Sequence, residues 1–158
     1  MSRLLKAMFI VGALGCSAAH AQTPASLPLA QATELAQAAV QACSAKNYQV
    51  AATVVDRGGN VLAMLRSDLS GPHTAEASRR KAYTSLSMRA PTSAIANTVE
   101  NNAGARQLVA IDDFLVLAGG VPIKVGNDTI GAIGVGGAPG GHLDEECANA
   151  ALAARRAS

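Results

Sequence analysis

Apolar positions recur at helical spacing at both ends of the chain. Leu29, Ala32, Ala36, Ala39, Val40 and Cys43 form one stripe, and Leu143, Cys147, Ala150, Ala151 and Ala154 form the other. The first predicts a helix from about Leu29 to Lys46, the second a C-terminal helix. Between them, two apolar runs, Gln49 to Val55 and Asn60 to Arg66, flank Asp56-Arg57-Gly58-Gly59, a hairpin signal. Thr74, with Glu76 in the following turn, predicts the capped start of a helix reaching Arg89. Pro91 ends it, and Thr92 is placed to cap another helix running to about Asn102. Residues 103–113 carry no clear period. Phe114 to Leu117 reads as a strand, and Val121 to Val125 and Thr129 to Val135 read as strands paired across Gly126-Asn127-Asp128. Pro122 has no N–H for a ladder, so its strand is expected at an edge or to begin there. This order predicts one α+β domain, residues 29–156, with a mostly antiparallel sheet.

In the last strand, alternation sends Thr129, Gly131, Ile133 and Val135 to one face and Ile130, Ala132, Gly134 and Gly136 to the other. The second face is nearly bare at its C-terminal end. Close approach of a helix, another backbone or a flat ligand would compensate, the helix being the commoner case.

The chain has 158 residues, 49% hydrophobic and 15% charged, enough for a core of its own. Residues 1–21 read as a secretory signal, with Arg3 and Lys6 ahead of a short apolar run and Ala19 and Ala21 at a small-x-small cleavage site. Residues 22–28 then form a spacer, and the mature product is expected in the periplasm or secreted, with no membrane association. Removing two of thirteen cations leaves eleven against eleven acids. A neutral chain whose only aromatics are Tyr48, Tyr83 and Phe114 lacks the cationic surface and stacking platform of a nucleic-acid binder. Cys43 and Cys147 remain in an oxidising compartment. Both lie on apolar helix stripes, so they bond if the terminal helices pack side by side; two separate buried thiols are the alternative.

Catalytic signatures are missing. The glycines of GAIGVGG are spaced GxxGxGG rather than GxGxxG, no GK[ST] follows, and there is no GxSxG, CxxC or CxxCH. His142, beside Asp144, Glu145 and Glu146, matches no standard metal spacing; acids there suit the first turn of a helix. More suggestive is the second helix, where Ala77, Lys81, Thr84 and Met88 follow one another at steps of three or four, with His73 at the helix mouth. An imidazole and a thioether are iron donors, and a cation suits a propionate.

Three segments, VVDRGGNVLAMLRSD (Val54 to Asp68), SGPHTAEASRRKAYTSLSMRAPT (Ser70 to Thr92) and GGVPIKVGNDTIGAIGVGGAPGGHLDEECA (Gly119 to Ala148), together resemble the GlcG/HbpS-like haem-binding family, also known from the C-terminal domain of PduO-type proteins. The resemblance runs from about Leu29 to Ala154. It implies a five-stranded antiparallel sheet packed with helices, a homo-oligomer, and a ligand site lined by Lys81 and Thr84 of the KAYT element. The function expected is non-covalent binding of haem, or a related flat anion, for storage, sensing or protection, with His73 near the iron and Lys81, Thr84 and Met88 in the pocket. Two other readings are an enzyme, haem-degrading or acting on a small molecule with Lys81 and His73 as acid and base, and an oligomeric structural or signalling module without haem.

Overall fold

The computed structural model describes residues 26–157; the expected signal and residues 22–25 of the spacer lie outside them. Four helices and four strands follow in the order α1 (Leu29–Ser44), β1 (Ala51–Asp56), β2 (Val61–Arg66), α2 (Thr74–Met88), α3 (Thr92–Asn101), a 3-10 helix (Ala103–Ala110), β3 (Gly120–Val125), β4 (Asp128–Gly136) and α4 (Gly141–Ala157). The strands form one sheet in the order β2-β1-β4-β3. All neighbours are antiparallel, so the α+β architecture stands. β3, the strand with Pro122, is an edge, as the missing N–H requires.

The sheet has four strands, not five. Phe114 to Leu117, expected as a strand, joins no ladder because α2 supplies partners for its backbone. The Arg80 guanidinium donates to the Phe114 carbonyl, and the Leu115 N–H donates to Thr84 Oγ1 at 2.8 Å. The Phe114 ring stands edge-to-face on Tyr83, centroids 6.3 Å apart. Residues 103–110, which carry no period, wind into the 3-10 helix.

The apolar stripes of α1 and α4 do pack together. With Ala52, Val54, Val121, Ile133 and Val135 they form the main core, in which Leu35, Ala36, Ala39, Cys43, Cys147 and Ala148 are buried. Cys43 and Cys147 are joined by a disulfide, Cα atoms 5.5 Å apart, so the bond expected from the two stripes is present. The other face of the sheet carries α2. A Cβ on Gly134 would come within 2.1 Å of the Ser78 carbonyl oxygen, and one on Gly136 within 3.2 Å of Ala77 Cβ. The bare face of β4 is therefore bare for a helix and not for a flat ligand.

Two expected caps work differently. Thr74 Oγ1 donates back to the Gly71 carbonyl at 2.8 Å instead of accepting from an N–H of α2. Thr92 Oγ1 accepts the Gly120 N–H at 2.8 Å, and the first turn of α3 is served by Glu145 of α4, which accepts the Ser93 N–H at 3.2 Å and the Ser93 hydroxyl at 2.6 Å.

Candidate functional site

The least expected feature of the core is an ion pair. Lys81 projects from the middle of α2 toward α4, where its Nζ donates to Asp144 Oδ2 at 2.7 Å. The two side chains are 2% and 3% exposed. Asp144 Oδ1 accepts the Ala138 N–H at 2.9 Å. Burial pushes the Asp144 carboxyl above the usual carboxylate range, against the pull of Lys81 and of the Ala138 and Gly137 N–H groups. Such a pair contributes little net stability because desolvation cancels much of the attraction, yet loss of one partner strands a buried charge. Its direct effect is to fix α2 to α4 where β4 ends and β3 begins.

The backbone is shaped around this pair. Gly119 has φ +126°, and a Cβ there would lie 2.9 Å from Lys81 Nζ and 2.8 Å from Asp144 Cβ. Only glycine combines that conformation with that lack of bulk. The neighbouring Glu145 accepts the Gly119 N–H at 3.3 Å besides its contacts to Ser93, so consecutive acids of α4 tie down four different segments.

The four residues expected around one ligand occupy different settings. Lys81 and Thr84 share the buried side of α2; Thr84 Oγ1 donates to the Arg80 carbonyl at 2.8 Å while accepting from Leu115. His73 is exposed at the helix N-cap, and its ring makes no hydrogen bond among the described residues. Met88 is 40% exposed at the far end, beside Ala94, Ile95 and Leu108. Fifteen residues of helix separate His73 from Met88 by about 22 Å, so the two cannot flank one iron. His142 is exposed near the start of α4, and no group of three or more His, Cys, Asp or Glu suited to a metal occurs among the described residues.

Asp144 was readable in the sequence as a core position. It stands three residues before Cys147 and four before Ala148, on the same stripe; its charge masked that signal, and its place in the first turn of a helix gave it another reason to be there. A cleft of about 340 Å³ lies at the C-terminal end of α2, lined by Arg57, Tyr83, Leu86, Arg89 and Asp128 among others. Its walls come from two turns and a helix end that no sequence period connects.

The family model described as haem degrading protein HbpS-like matches residues 27–153. HbpS of Streptomyces reticuli, solved as a double mutant, is 40% identical, with 94% of this chain and 98% of that chain covered and a TM-score of 0.79. Protein GlcG of Escherichia coli is 33% identical over 114 residues, 72% of this chain and 84% of GlcG. A crystal structure of a PduOC:heme complex is 22% identical, covers 82% of this chain and 95% of its own, and has a TM-score of 0.73, a likeness of fold alone. The matched span takes in every helix and strand from α1 to β4 and most of α4, with the Lys81 and Asp144 pair inside it, and the chain belongs to the HbpS-like family.

Proposed function

We propose that this chain binds haem non-covalently as an exported protein, in a storage, sensing or protective role, and that the ligand lies against the N-terminal end of α2. The observation that carries the reading is the HbpS-like match over nearly all of the described residues, joined to an exposed, unengaged imidazole at His73. His73 fits as an axial donor: its ring is open to solvent and, among the described residues, no hydrogen bond competes for either nitrogen. Haem bound there would supply an iron centre and two carboxylates to be held. Lys81, expected to meet a propionate, is instead buried against Asp144, where it holds the helix beneath the ligand and keeps α2 in register with α4. Thr84 supports the same helix from its buried side, and Met88 belongs to a separate contact. Export agrees with the disulfide, a bond that persists in oxidising compartments, and assembly into a homo-oligomer is part of the proposal.

Titrating the purified mature protein with haemin and following the Soret band tests this. Saturation at a fixed stoichiometry is expected, and unchanged free-haemin absorbance would refute it. The family's description favours a second reading, a haem-degrading activity. In that case the Soret band of the complex decays when reductant and oxygen are supplied; binding alone leaves it intact.

A further inference from the structure

From the cleft at the C-terminal end of α2, away from His73, we infer that the protein has a second site, which takes a small organic oxyanion with a flat or apolar body. The cleft lies between the β1-β2 turn, the β3-β4 turn and the last turns of α2, and its volume is about 340 Å³. That is the lower end of the range for small-molecule pockets and too small to enclose a four-ring macrocycle.

The lining sets the chemistry. Arg57 and Arg89 contribute two guanidinium groups against one carboxylate, Asp128, so the wall carries net positive charge. Among the described residues, the Arg89 side chain, the Tyr83 hydroxyl and the Asn127 amide have no hydrogen-bond or ion-pair partner, which leaves more donors than acceptors facing one space. Three carbonyls of the last turns of α2 are already engaged. Leu86 accepts the Arg89 N–H at 3.2 Å, Ser85 accepts the Ala90 N–H at 3.2 Å, and Tyr83 accepts the Ser87 hydroxyl at 2.8 Å. Leu86 and the Tyr83 ring supply the apolar wall for the ligand's body.

The walls are also preformed. Gly59, at φ +83°, lies under the Tyr83 ring, where a Cβ would come within 2.9 Å of Tyr83 Cε2, and Phe114 braces the same ring edge-on. Asp56 holds the β1-β2 turn by accepting the Gly58 and Asn60 N–H groups at 2.8 and 2.9 Å. Arg89 itself occupies the left-handed region, φ 53° and ψ 30°, as the C-cap of α2. Rigid positioning of this kind reduces the ordering cost of binding.

A carboxylate and a phosphate share the chemistry that these donors recognise, and the experiment separates them. Backbone amide shifts of the mature protein are followed by NMR during titration with benzoate, its neutral isostere benzamide, and inorganic phosphate at millimolar concentration, for wild type, Arg89→Gln and Arg57→Gln. Benzoate is expected to shift amides of residues 57–59, 83–89 and 127–129, to bind at least about tenfold more tightly than benzamide, and to lose about tenfold in affinity in Arg89→Gln. Phosphate producing the same local, arginine-dependent shifts in place of benzoate assigns the site to phosphate esters. Equal binding of benzoate and benzamide, shifts elsewhere, or indifference of both folded variants overturns the inference.

Discussion

On the α1/α4 face of the sheet the buried side chains that meet are Leu35, Ala39, Val54, Ile133, Val135 and Ala148, and a disulfide fastens them. On the α2 face they include Thr53, Ser78, Lys81 and Thr84, and the sheet contributes glycines. Burial of apolar area is tolerant of direction, so the first face depends on volume and on its covalent link. The second depends on matched donors and acceptors: Thr53 and Ser78 share a hydrogen bond of 2.7 Å, and Lys81 meets one carboxylate. A helix seated by such contacts has little freedom to roll. That makes α2 a firm platform for the groups at its exposed ends, His73 at one and Arg89 at the other.

If the two faces differ in this way, they should fail differently. Replacing both Cys43 and Cys147 by Ala should destabilise most. In the chain-entropy model, opening a loop of 104 residues costs about 4 to 5 kcal/mol, measurable by urea denaturation with the haemin titration otherwise unchanged. Asp144→Ala should cost about 3 to 5 kcal/mol by leaving Lys81 buried without a partner. Lys81→Met combined with Asp144→Leu should recover a large part of that loss; no recovery would mean that the pair does more than neutralise itself. Gly134→Ala should cost about 1 to 3 kcal/mol, because the new methyl meets the Ser78 carbonyl and α2 must lift from the sheet. It should therefore also loosen ligand binding, unlike the cysteine change.

The smallest effect concerns pH. The Arg79 guanidinium, hydrogen-bonded to Glu76, holds the Glu76 carboxyl below its usual range. A depressed carboxylate contributes stability above its unfolded value and loses it as the pH falls through its folded value. Glu76→Gln should therefore lower stability slightly near neutrality, with the difference from wild type shrinking as the pH falls below about 4.5.

Much of this architecture was legible in the chain. The 3.6-residue stripes of Leu29 to Cys43 and Leu143 to Ala154 located both the core helices and the disulfide, because apolar period and thiol position coincide there. Period-two alternation located β4 and its face from Ala132 to Gly136, but not Ile130, which a register shift against β3 brings into the main core with Ile133 and Val135. What failed was what depends on tertiary partners. Phe114 to Leu117 has strand-like residues but its backbone is satisfied by Arg80 and Thr84 across 31 to 34 residues, which no local pattern records. Thr74 and Thr92 have capping chemistry but spend it on Gly71 and Gly120. Lys81 and Thr84 share one helical face, but it is the buried one, and the acid that engages Lys81 lies 63 residues away.

The most direct test of the account compares wild type with His73→Ala in the haemin complex. His73 is exposed and its ring has no hydrogen-bond partner among the described residues, so the variant should keep wild-type stability, while the proposal that it is an axial donor predicts a shifted Soret band and a lower affinity. A variant that binds haemin with unchanged affinity and spectrum would contradict the placement of the ligand at the N-terminal end of α2.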